Sequence, residues 1–160
     1  MILSALACDA VIVATLSIWT SYQSTWRLPI SLTCVYALKV MMRQLFAMRT
    51  PENYAWQYPG FYSLSVKYGL SNDTHFVLHC AILTVCFYEL WEVRSMLLIP
   101  SIITLTATIF LLMVLRGCFM IDIFGAVIFG QFAWHFANRV SYFIDVKVFG
   151  LHFQERFPYF

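Results

Sequence analysis

Two pairs of residues carry groups that could do chemistry at helical spacing. Cys118 and Asp122 are four apart, two residues beyond Arg116, so on a helix a thiol and a carboxylate share one face. His75 and His79 are also four apart, near the start of the third apolar run. Asp9, Lys39 and Arg43 add charges inside or beside apolar runs, Lys39 and Arg43 again on one face. Asp9 could pair with Lys39, although snorkelling of both cations to the headgroups serves equally. An ionisable group inside such a run needs a partner or water and marks a functional candidate. A capping or packing role for Asp122 fits the same facts.

These groups sit in a chain built for an apolar surrounding. Of its 160 residues, 61% are hydrophobic and 11% charged, whereas a soluble domain is nearer half apolar and a quarter charged. The composition reads as an integral membrane protein. A net charge of +2 without a Lys/Arg-rich run argues against a nucleic-acid partner. The five cysteines are odd in number, lack CxxC spacing and lie mostly in apolar runs, which suits buried thiols better than a disulfide framework or a zinc site. Neither a metal nor a cofactor is expected.

The elements that must position the groups are apolar runs long enough, or nearly so, to cross about 30 Å of hydrocarbon as helices. The expected fold is all-α: a polytopic membrane helix bundle forming one domain over residues 1–160. Its five transmembrane helices fall at about 2–20, 28–48, 74–91, 96–115 and 118–138. The first reads as a retained span, since no basic segment precedes it. Between the second and third, residues 49–73 hold four tyrosines, Trp56, Pro51 and Pro59, a composition suited to an interfacial loop. Residues 139–160 read as an amphipathic C-terminal tail at the membrane surface. Arg27 and the group Glu89, Glu92 and Arg94 fall in turns. Five spans put those turns and the tail on one side, with the N-terminus, the 49–73 loop and Arg116 on the other. Beyond Asp122, Ala126, Gly130, Ala133 and Ala137 form a row of small residues where another helix can approach closely.

The order of groups is similar to a known plan. Tyr58-Pro-Gly-Phe-Tyr-Ser-Leu, Tyr68-Gly-Leu-Ser-Asn-Asp73-Thr-His-Phe-Val-Leu-His79 resembles the segment leading into the Ser-Gly-His motif of the type 2 phosphatidic acid phosphatase superfamily. Its sphingomyelin-synthase-like branch of lipid phosphocholine transferases is the nearest in flavour. Arg116-Gly-Cys-Phe-Met-Ile-Asp122 looks like the later His-Tyr-x-x-Asp motif. The resemblance implies a mechanism without a metal: a histidine attacks phosphorus, an aspartate orients it, and the Ser-Gly-His histidine protonates the leaving lipid. On this resemblance His79 matches the acid and Asp122 the orienting carboxylate, while Cys118 stands in the place of the nucleophilic histidine. Val77-Leu78 replaces Ser-Gly, Phe119 replaces tyrosine, and five spans replace six.

These departures set the functional expectation. An imidazole can accept an oriented proton and take a phosphoryl group at neutral pH, whereas a cysteine in apolar surroundings stays mostly the less reactive thiol. Val-Leu in place of Ser-Gly removes a hydroxyl and fills the space for phosphate oxygens. Loss of a nucleophile removes several powers of ten in rate. The expectation is a pseudoenzyme, with His79, Cys118 and Asp122 as vestigial catalytic positions. It would serve as a structural or lipid-binding accessory subunit beside other integral membrane subunits of a larger membrane complex. Membrane phospholipids would be held by Arg49, Lys67 and Arg116, since arginine forks onto phosphate oxygens. Chain size and architecture suggest a respiratory-chain complex of the mitochondrial inner membrane, with the ER or Golgi as the alternative. Two other functions compete: an active lipid phosphatase or phosphocholine transferase using Cys118 or His75, and a small channel or transporter built on Asp9, Lys39, His79 and Asp122.

Overall fold

In runs this apolar, a helix is the conformation that satisfies the peptide groups locally, without bonds to water. The computed structural model describes residues 2–23, 25–45, 77–114 and 118–150, and among these it shows helices and no strands. They are α1 (Ile2–Tyr22), α2 (Arg27–Leu45), α3 (Leu78–Glu92), α4 (Leu98–Val114) and α5 (Met120–Phe143), the last continuing into a π-helical turn at Ile144–Val148. The expected interfacial loop at 49–73 and the end of the tail lie outside the described residues.

Local chemistry explains the helix ends. Pro29 and Pro100 each fall in a first turn, where a missing N–H costs no intrahelical bond. The Trp19 indole N–H donates to the Thr25 carbonyl at 2.7 Å and closes the α1–α2 connection. At the end of α3, Ser95 N–H donates to Leu90 O at 3.2 Å and Arg94 N–H to Trp91 O at 3.1 Å. This pair of bonds is a Schellman end, and it puts Arg94 in the left-handed region at φ 51°. Ser95 then opens α4, its Oγ accepting the Leu97 N–H at 3.2 Å. Along α4 the hydroxyls of Thr104, Thr106 and Thr108 donate to the carbonyls four residues back.

α3 is the centre of the bundle. It packs against α1, α2, α4 and α5, while α5 also packs against α2 and α1 against α4. Residues 80–86 of α3 are buried without interruption, as befits an element enclosed on several sides. Pairings along the helices fix their directions. Cys8 lies within electrostatic reach of Cys80, and Thr15 lies beside Cys86, so α1 and α3 run parallel. Gly130 opposes Ala81 and Thr84, and Trp134 bonds Glu89, so α5 runs parallel to them as well. Arg27 at the start of α2 meets Glu89 near the end of α3, and Thr108 of α4 meets Cys8 of α1. α2 and α4 therefore run the other way.

The small-residue row does what its spacing suggests. Ala126, Gly130, Ala133 and Ala137 are all buried on the face that α5 turns inward. A Cβ on Gly130 would stand 2.7 Å from the Ala81 carbonyl oxygen and 3.0 Å from Thr84 Cβ. Glycine is required here because backbone approaches backbone.

Several expectations change. α1, over Ser4–Tyr22, and the continuous helix Met120–Val148 are long and apolar enough to cross a membrane; at 1.5 Å per residue the latter's 29 residues extend about 44 Å. α4 is a shorter apolar helix, α3 has 15 described residues, and α2 carries Arg27, Lys39, Arg43 and Gln44, which lower its apolarity. Arg27 begins a helix instead of lying in a turn, and Glu89 lies inside α3. The tail expected to leave the bundle at 139 stays in it to about 148: α5 runs on to Phe143, and Ser141 and Asp145 are buried. Its small and inward-facing residues continue the packed face, which periodicity beyond Asn138 did not reveal because charged residues interrupt it.

Gly130→Ala is expected to destabilise the chain by about 1–3 kcal/mol, because overpacking against backbone cannot relax as a side chain can. Thermal unfolding in mild detergent checks this, with Gly125→Ala as the control, since a Cβ there meets nothing within 4 Å.

Candidate functional site

The family-like residues gather at the end of the bundle where α3 and α5 begin. His79 is the second residue of α3 and is half-buried. Asp122 lies in the first turn of α5 and is buried, where a carboxylate gains from the positive end of the helix. Cys118 is half-buried against the apolar core and within electrostatic reach of Cys80. The structure thus brings Cys118 to α3, but not in the arrangement expected. α5 begins at Met120, and its N-cap residue Phe119 is extended, with φ −72° and ψ 148°. Cys118 therefore precedes the helix, and the four-residue spacing to Asp122 does not put the two on one helical face.

The place corresponding to Ser-Gly is also filled. Val77 is buried in the core with Ile123, Cys80 and Ala81, and Leu78 packs against the same cluster. The Val77 carbonyl accepts the N–H groups of Cys80 and Ala81 at 3.0 and 3.2 Å, so this backbone is committed to starting α3. Asp9 and Lys39 are half-buried on α1 and α2. Arg49, Lys67, Arg116 and His75 lie outside the described residues.

The opposite end holds a charged cluster that sequence reasoning placed in turns. Arg27 and Glu89 are 3% and 2% exposed and form a forked pair, Nε to Oε2 and Nη2 to Oε1, both at 2.9 Å. The Trp134 indole N–H donates to Glu89 Oε2 at 2.9 Å, and the guanidinium lies over that indole, 5.0 Å from its centroid. Glu92 Oε1 stands 3.8 Å from the remaining guanidinium nitrogen, Arg27 Nη1. Trp134 in turn stacks with Tyr88 at 5.3 Å between centroids. About three turns beyond Trp134 on the same helix, Asp145 is fully buried and its Oδ1 accepts the Trp26 N–H at 3.3 Å. That carboxylate caps α2 from the far end of the chain, at the helix end where negative charge is favoured.

Such an arrangement binds helices together and leaves the Glu89 carboxylate no face for substrate: both oxygens accept hydrogen bonds, one of them twice. Arg27 and Glu89 are 62 residues apart, so no spacing joins them. The usable signal was topological, since the alternation of spans had already put Arg27 and Glu89 at one end. Among the described residues no group of three His, Cys, Asp or Glu is arranged to hold a metal ion. No protein-family model, curated protein or solved structure matches this chain.

Breaking the pair leaves an uncompensated buried charge, so Arg27→Met is expected to cost about 3–5 kcal/mol. Adding Glu89→Gln, which keeps an acceptor for Trp134, should recover most of that loss. Unfolding midpoints of the two single variants and the double variant measure the coupling; additive losses would show that the groups stabilise the bundle independently.

Proposed function

We propose that the chain is a multi-pass membrane protein whose five helices all traverse the bilayer. In this reading it is a degenerate relative of the type 2 lipid phosphatases that serves as a structural or lipid-holding subunit of a larger membrane assembly. The membrane assignment draws support from two helices of spanning length and apolarity and from the outer surface. There α4 presents Ile99, Ile103, Phe110 and Val114, and α5 presents Ile121, Phe124, Ile128 and Phe132, all exposed. Large apolar faces of this kind need lipid or protein cover.

The observation that carries the inactive reading is the extended Phe119. It takes Cys118 off the helix that holds Asp122, so the pair lacks the shared-face arrangement that the four-residue spacing implied. Val77 in the core reinforces it, because a buried β-branched side chain occupies the position where a small hydroxyl residue would leave room for phosphate oxygens. His79 and Asp122 are then remnants at the starts of α3 and α5. A respiratory-chain complex of the mitochondrial inner membrane is the assembly to test first.

Purification in gentle detergent should recover the chain stoichiometrically within a large complex. That preparation should show no phosphate release from phosphatidic acid and no phosphocholine transfer, attributable to this subunit. Cys118→His alone is expected to leave it inactive, since Val77 still fills the place of the small hydroxyl residue. A solitary chain with measurable phosphoryl release would overturn the inactive reading in favour of an active lipid phosphatase.

A further inference from the structure

The end of the bundle that carries the Arg27–Glu89 pair sorts its charges by sign. Among the described residues it holds four cations, Arg27, Arg94, Arg139 and Lys147, and three acids, Glu89, Glu92 and Asp145. On paper these nearly cancel. In the fold, Glu89 and Asp145 are buried and Glu92 is a quarter exposed and turned to Arg27. Asp145 is offset by the N-terminus of α2. Of the cations only Arg27 goes inside; Arg94, Arg139 and Lys147 are exposed.

The levels of these three follow from the contacts already described. Trp134 is level with Glu89, so Arg139 lies about 7.5 Å further along α5. Arg94 lies just past the end of α3. Lys147 follows Asp145, which touches the start of α2. The Lys147 ammonium is held 4.8 Å above the Phe143 ring. Trp26, Trp91 and Tyr142 are exposed at the same end, as side chains with an apolar body and a polar tip are at a membrane–water boundary. Arg94 adds an independent sign. It occupies a left-handed position, φ 51°, where glycine is less strained, so the helix end itself gives no reason for an arginine there.

We propose that this end of the bundle docks onto the phosphate groups of anionic phospholipids, with Arg94, Arg139 and Lys147 as the contacting cations. The proposal rests on the membrane reading above but not on the inactivity of the other end. Both arginines present planar forks that match phosphate oxygens, and the lysine presents a point charge. The aromatic side chains set the depth at which these cations meet the headgroups.

The test titrates the full chain in mild detergent with dioleoyl phosphatidylglycerol or dioleoyl phosphatidylcholine and counts bound lipids by native mass spectrometry. The wild-type chain should prefer the anionic lipid, and the preference should weaken as salt shortens the screening length. Arg94→Gln, Arg139→Gln and Lys147→Gln should each reduce it about fivefold, and Arg94→Lys should retain most of it. Arg94→Gly is the decisive variant, because it should raise the melting temperature while lowering the lipid preference. Equal binding of the two lipids by the wild-type chain would overturn the proposal. So would a preference that survives in the folded Arg94→Gly and Arg139→Gln variants, or displacement of phosphatidylglycerol by polyglutamate at equal charge, which would indicate an acidic protein partner. A chain that stays monodisperse without detergent would refute the membrane reading itself, a result distinguishable from lipid indifference in detergent.

Discussion

A guanidinium and a carboxylate taken out of water are costly unless each meets the other in good geometry, and the Arg27–Glu89 pair meets that condition on three helices at once. Arg27 starts α2, Glu89 lies in the last turn of α3, and Trp134 on α5 donates to the same carboxylate while lying beneath the guanidinium. The pair sets the axial register of these helices, because sliding any one of them by a turn would strand a buried charge. The Gly130 crossing depends on that register: only with α3 and α5 held in this phase does glycine lie opposite the Ala81 carbonyl.

Much of the helical architecture was legible because long apolar runs admit few other conformations, and because alternating runs fix which ends lie together. The small row from Ala126 to Ala137 was readable for the same reason: spacings of four, three and four put it on one face. Boundaries were less legible. Arg27 and Glu89 look like turn residues to any rule that sends charge to water, and only a partner 62 residues away makes their burial tolerable. Asp145 misled in the same way, its cost offset by the Trp26 N–H of a distant helix start.

The candidate site shows a different limit. Residue types and order could be compared with a known plan, and His79 and Asp122 do lie at the starts of two adjacent parallel helices. Whether Cys118 and Asp122 share a face depended on where α5 begins, and a single extended residue, Phe119, decides it. One dihedral pair is below what spacing can specify. The Val77 position was more legible, since a β-branched residue where a small one is needed already signalled a filled space.

The tie between Asp145 and Trp26 joins residues 119 apart, and Arg27 waits 62 residues for Glu89. At a synthesis rate of about 5–20 residues per second, Arg27 is made roughly 3–12 s before its counter-ion exists. During that interval the corner between α1 and α2 carries a guanidinium without its counter-ion. The burial seen in the finished fold is open to that corner only after α3, and then the Trp134 of α5, have been made.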